Sequence, residues 1–153
     1  MAVSLQRCAE FLAAARIRHH DDVEQGVIRV VRLTREYRNL RDEKLVILQI
    51  TTPDDGRRCR LTIERAFAVG DDAAATCREL CRAAADTPLV GVEFDADYDN
   101  LRMVVEVVVE DGELTQRQLV SMVDTLAETA EIWHMARREV RPAAAGEDRL
   151  RVA

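Results

Sequence analysis

Lysine is almost missing from this 153-residue chain: Lys44 is the only one, and the rest of the 22 basic side chains are arginine. Alongside the abundance of alanine this reads as codon bias, and no function is drawn from it. Basic charge is also outnumbered, 22 against 28 acidic residues, for a net charge of -6 and a pI near 5.1. That balance argues against a general nucleic-acid binder, because phosphate contacts require a net positive face that releases counterions. Long apolar runs are lacking too. Spanning a bilayer takes roughly 20 apolar residues, whereas the longest run here, 103–109, is strand-sized and broken by Glu106. Residues 1–10 show no basic segment followed by an apolar one, so no secretory signal is expected, and the chain is read as a soluble, cytoplasmic protein with no membrane partner. In that compartment thiols stay reduced, and Cys8, Cys59, Cys77 and Cys81 are treated as small hydrophobes.

Catalytic signatures are equally scarce. The sequence has no glycine-rich phosphate loop, no Gly-x-Ser-x-Gly elbow and no His-Glu-x-x-His, and its three histidines lie in a connector and near a helix end. No catalytic residue, metal ligand or cofactor is nominated, and the chain is expected not to be an enzyme.

What is present is a clear order of elements. Leu5, Cys8, Leu12 and Ala15 recur at helical spacing, with Ser4 placed to cap the first turn. A polar connector over 19–25 leads through Gly26 to a β-branched strand over 27–33. Residues 34–43 read as a strand continuation or a long loop. Val46, Leu48 and Ile50 share one strand face; after the turn Pro53-Asp54-Asp55-Gly56, Cys59, Leu61, Ile63, Arg65, Phe67 and Val69 alternate along the partner of a hairpin. Ala73, Cys77, Leu80, Cys81 and Ala84 define a second helix that Thr87-Pro88 ends. Val90, Val92 and Phe94, then Leu101, Met103, Val105, Val107 and Val109, make a second hairpin. Thr115 and Gln118 form a capping box ahead of a long helix with Leu119, Met122, Val123, Leu126, Ala130 and Trp133 on one stripe. The expected fold is α+β, an antiparallel sheet with three helices in the order α-β-β-β-α-β-β-α, as one domain over 1–140 with a flexible C-terminal tail over 141–153.

Several patterns imitate chemistry. Asp95, Asp97 and Asp99 followed by Glu106 reproduce the spacing of a calcium-binding helix-loop-helix, but Asn100 stands where that loop needs glycine, and both flanks are strand-like. A polar turn is favoured, with ion sensing as the alternative. His19-His20-Asp21-Asp22 offers four metal-capable side chains in a row and is read as a solvated connector. Cys77 and Cys81, one helical turn apart, sit among small apolar neighbours and are read as core or interface residues. Arg29, Arg32, Arg35, Arg38 and Arg41 recur every third residue, but Glu36, Asp42 and Glu43 dilute them, so a salt-bridged strand and loop is favoured over nucleic-acid binding.

Two features suggest interfaces. The short side chains of Ala73, Cys77, Cys81 and Ala84 allow another backbone to approach the second helix closely, either the sheet or the same helix of a second subunit, with a two-fold homodimer the commonest outcome. On the last strand Val104 and Val108 interrupt the polar face of Arg102, Glu106 and Glu110, which suggests a covered or partner-binding surface, although scattered surface valines are also ordinary.

The order of elements, with Val109-Glu110-Asp111-Gly112-Glu113-Leu114-Thr115 running through Gln118-Leu119 into a long helix, resembles the bacterial YbjN-like domain, a family similar in fold to type III secretion chaperones of the CesT and SycE kind. That resemblance implies a frequently dimeric fold whose relatives hold peptide segments of client proteins; YbjN-like members are described as sensory-transduction regulators. It brings no catalytic residues. The expectation is a non-enzymatic protein- or peptide-binding domain, chaperone-like or regulatory, with a ligand- or ion-sensing regulator as the alternative.

Overall fold

The computed structural model describes residues 2–140; the tail expected over 141–153 lies outside the described residues. Helix α1 (Leu5–Ala14) starts where the Ser4 hydroxyl accepts the Arg7 N–H at 3.1 Å, and it buries Cys8 and Leu12. Strands β1 (His19–Asp22), β2 (Val27–Leu33) and β3 (Leu45–Thr51) follow, then the short turn α2 (Pro53–Gly56) and the long β4 (Arg58–Ala68). Helix α3 (Ala73–Ala85), strands β5 (Gly91–Asp95) and β6 (Asn100–Val108), and helix α4 (Gln116–Val140) complete the order.

All six strands join one antiparallel sheet in the order β1-β2-β3-β4-β6-β5. The α+β class, both hairpins and the three long helices agree with expectation, but among the described residues six strands and four helices replace the expected five and three. The extra strand is the His19-His20-Asp21-Asp22 segment. Its side chains have little β preference; it is extended because Gly26, at φ +63°, turns the chain back so that β2 supplies backbone partners from Val27 to Val30. The extra helix is the predicted turn, with Asp54 and Asp55 both in the left-handed region. There Gly56 is obligatory. Its φ is +81°, a Cβ would come within 2.1 Å of the Val3 carbonyl oxygen, and its own carbonyl accepts the Val3 N–H at 2.8 Å.

One face of the sheet carries the core. Ile28, Val30, Val46, Leu48, Ile50, Leu61, Met103 and Val105 point to it and meet Leu12 of α1 and the stripe Leu119, Val123, Leu126, Ala130 and Trp133 of α4. The α4 capping box is present as expected: the Thr115 hydroxyl accepts the Gln118 N–H at 3.2 Å, and the Gln118 side chain accepts the Thr115 N–H at 2.9 Å. Alternation along β4 fails at a bulge between Ile63 and Phe67, where Arg65 adopts φ +51° and Ala66 joins Phe67 in the core. At the same place β4 parts from β3, whose ladder to β4 covers only Gln49–Thr51 although its ladder to β2 runs back to Leu45.

Helix α3 rotates its buried side away from the predicted one. Thr76 and Leu80 are buried, Cys77 and Ala84 are half-buried, and Ala73 and Cys81 are exposed. Threonine reads as polar in a sequence, yet the Thr76 hydroxyl donates to the Val69 carbonyl at 2.6 Å, which satisfies it within the core.

Candidate functional site

Among the described residues no helix lies over the second face of the sheet. Strand parity assigns that face to Val31 and Leu33 of β2, Leu45 and Ile47 of β3, Arg58, Arg60, Thr62 and Glu64 of β4, Arg102, Val104, Glu106 and Val108 of β6, and Glu93 of β5. It is apolar at one corner and polar or charged elsewhere, the next pair along β2 and β3 being Arg29–Gln49. On β2 and β3 the cross-strand pairs Val31–Ile47 and Leu33–Leu45 stand side by side, with Val31 44%, Ile47 42% and Leu33 86% exposed.

The charged part is a lattice of ion pairs. Arg102 reaches Glu64 at 2.8 Å, Asp95 at 3.2 Å and Glu93 at 3.3 Å; Arg60 reaches Glu93 at 2.6 Å and Glu106 at 3.2 Å; Arg58 closes the row on Glu106 at 2.8 Å and Asp54 at 2.7 Å. Partial burial pulls the Glu93 carboxyl upward, but the guanidiniums of Arg60 and Arg102 outweigh it and hold the group below its ordinary value. These side chains flank Thr62 and Val104, which are almost fully buried on a face without a helix. Long arginine stems cover apolar surface while their heads stay wet.

Both edges of the sheet are guarded. β1 is four residues of histidine and aspartate, and β5 is five residues carrying Glu93 and Asp95. Short, charged edge strands resist pairing with a further chain.

The proposed partner residues are separated in character. Val104 is 8% exposed between Thr62 and Gly91, whereas Val108 is 66% exposed and lines a groove of about 640 Å³ with Leu89, Val109, Leu114 and Met122. Leu89 holds a positive φ of 67° with its side chain largely in solvent. The facing of β2 is ambiguous in the sequence, because only the placement of the helices decides which sheet face is wet.

The metal-like patterns come apart. Asp95 accepts the Asp97 N–H at 3.1 Å and pairs with Arg102. Glu106 lies six residues along β6 from Asn100, roughly 20 Å at strand rise, and is engaged by Arg58 and Arg60. His19, His20, Asp21 and Asp22 alternate across a strand, which sends neighbours to opposite faces. Among the described residues no group of three His, Cys, Asp or Glu is placed to hold a metal ion, and no helix is long and apolar enough to cross a membrane. The arginine series also disperses, since a three-residue period on a two-residue strand alternates faces. Arg29 pairs with Asp22 at 2.6 Å, Arg32 with Asp124 of α4 at 3.0 Å, and Arg38 with Asp42 at 3.3 Å.

Residues 34–44 hold the feature furthest from the polar loop read in the sequence. Tyr37 is fully buried; its hydroxyl donates to the Ala66 carbonyl at 2.7 Å, and its ring packs edge-on to Phe67 and His134. Burial pushes its phenol above the ordinary tyrosine value. The N–H groups of Arg35, Glu36 and Tyr37 all donate to the Glu131 carboxylate of α4, the latter two at 2.8 and 3.0 Å. Partial burial raises the Glu131 carboxyl, but these three donors and nearby His134 outweigh it and leave the group below its usual range. Cys8 and Cys59 are both buried; their mutual hydrogen bond and burial drive the Cys59 thiol well up.

An antiparallel sheet with long helices on one face and an uncovered second face is the class of molecule these observations define. The crystal structure of YbjN from E. coli, described as a candidate transcription regulator, superposes on it with a TM-score of 0.68, covering 92% of this chain and 96% of that one at 13% identity. The chain therefore shares the YbjN fold. No family model matches the sequence, and no curated protein matches it.

Proposed function

We propose that this chain is a non-enzymatic protein- or peptide-binding domain, chaperone-like or regulatory, that docks its partner on the uncovered sheet face. The observation that carries it is the two apolar pairs Val31–Ile47 and Leu33–Leu45, exposed at Val31, Leu33 and Ile47, on a face with no helix over it among the described residues. A client with an apolar stripe would bury these rows, while the neighbouring lattice, whose charges are already paired, adds little demand for a particular sign. A regulatory role accords with the description given to the YbjN structure, and the paired state of Arg29, Arg32, Arg58, Arg60 and Arg102 favours a protein partner over nucleic acid. The same reading includes a homodimer through the exposed side of α3 at Ala73 and Cys81.

The test is an immobilised array of overlapping peptides probed with wild type and with Val31→Asp/Ile47→Asp. Both positions are already part-exposed, so the double variant should keep its fold. Wild type should mark a reproducible set of apolar peptides that the variant loses; equal capture by both removes the docking site from this face. Molar mass in solution, compared between wild type and Cys81→Glu, decides the homodimer.

A further inference from the structure

Residues 34–44 close the β2–β3 hairpin, yet most of their bonds are to themselves. Thr34 N–H to the Lys44 carbonyl at 3.1 Å ties the base. At the far end Asn39 organises a tight turn: its side-chain oxygen accepts the N–H groups of Arg41 and Glu43, its backbone N–H donates to the Glu43 carbonyl, and its side-chain amide donates to the Glu43 carboxylate. Asp42 takes the left-handed conformation that the turn needs, at φ +62°. A segment so tied at its base and tip keeps its shape when it moves.

Among the described contacts, two attachments stand out as holding this body to the rest of the molecule. One is the Glu131 carboxylate, which takes three consecutive N–H groups with both of its oxygens. The other is Tyr37, which fills the place where β3 and β4 part and bonds Ala66 in the bulge. Beside that seam lies a cavity of about 410 Å³, lined by Leu40, Val46, Ile47, Ile63, Glu64 and Arg65.

We propose that residues 34–44 form a latched strap over the β3–β4 seam, which opens as one body when Glu131 releases the three amides and so uncovers the apolar slot occupied by Tyr37. Local opening is set by the few contacts that join a unit to its surroundings, rather than by the stability of the whole. The slot adjoins Ile47, so opening extends the apolar rows of the uncovered face, but the strap stands as a device whether or not that face docks a partner. The Glu131 link is worth more than a neutral hydrogen bond because a charged acceptor serves several donors at once. A glutamine can accept on only one of the two oxygens and carries no charge.

Amide hydrogen exchange followed by mass spectrometry on wild type and Glu131→Gln tests the strap. The amides of Arg35, Glu36 and Tyr37 should exchange about tenfold faster or more in the variant. The amides of Leu61 and Met103 should keep their wild-type rates. Unchanged rates at residues 35–37 would show that the carboxylate is not the latch, and a parallel rise across the sheet would show that the strap is no separate unit. Should Glu131→Gln fail to fold, wild type in sub-denaturing urea decides: exchange of residues 35–37 must depend more weakly on urea than that of Leu61, and a common dependence overturns the proposal.

Discussion

Removing only the hydroxyl of Tyr37 isolates one bond in the least expected part of the fold. In Tyr37→Phe the ring keeps its edge-on contacts with Phe67, at 5.8 Å between centroids, and with His134, at 5.6 Å. What is lost is the 2.7 Å hydrogen bond to the Ala66 carbonyl. A neutral hydrogen bond contributes about 1 kcal/mol net, and a buried acceptor left without a donor costs about 1–3 kcal/mol. Ala66 lies within the bulge where the ladder between β4 and β6 is interrupted, so no strand partner stands ready to replace the phenol. The expected loss is therefore about 2 kcal/mol, which for a domain of this size lowers Tm by about 4–8 °C. Urea unfolding followed by circular dichroism should show a lower midpoint at an unchanged slope, because the surface exposed on unfolding is the same. Tyr37→Ala, which also leaves a cavity, should lose about 3–5 kcal/mol. A Tyr37→Phe midpoint equal to wild type would mean that the Ala66 bond contributes nothing, and that the aromatic ring alone seats the segment.

Three further outcomes follow from the packing. Gly56→Ala forces a Cβ to within 2.1 Å of the Val3 carbonyl oxygen at φ +81°, so it should lose about 1–3 kcal/mol from backbone strain alone; a midpoint near wild type would show that the N-terminal segment is not docked on this turn. Arg102→Met withdraws the cation shared by Glu64, Glu93 and Asp95, and the half-exposed setting limits the cost to about 1–2 kcal/mol. That deficit should shrink as salt is raised towards 1 M; a deficit indifferent to salt would assign Arg102 to covering Val104 instead. With a thiol reagent at neutral pH, Cys81 should react first and Cys77 more slowly, while Cys8 and Cys59 should react only on unfolding. Four equally reactive thiols would contradict the core placement of α1 against β4.

Local chemistry made much of the architecture readable. β-branched residues located β2, period-two alternation located β3 to β6, turn residues placed both hairpins, and the Thr115–Gln118 box fixed the start of α4 within a residue. Such signals act between residues close in sequence, where few geometries compete. Three features lay beyond them. β1 is a strand because β2 offers it an edge, and nothing in His19-His20-Asp21-Asp22 says so. The buried side of α3 passes through Thr76, since the Val69 carbonyl makes a hydroxyl acceptable there. Tyr37, in a run of arginine and glutamate, is core because Glu131, some 94 residues away, neutralises the backbone N–H groups that its burial would strand.

The candidate site divides along the same line. Sequence alone placed Val46, Leu48 and Ile50 on one face of β3, because a strand sends successive side chains to opposite sides, but it left the facing of β2 ambiguous. Only the tertiary structure decided that the helices sit on the other side, leaving Val31, Leu33 and Ile47 exposed, and that Arg60 and Arg102 flank Val104 while Val108 stays open. Alternation is a property of one strand; which face is covered is a property of how helices far apart in the chain pack together.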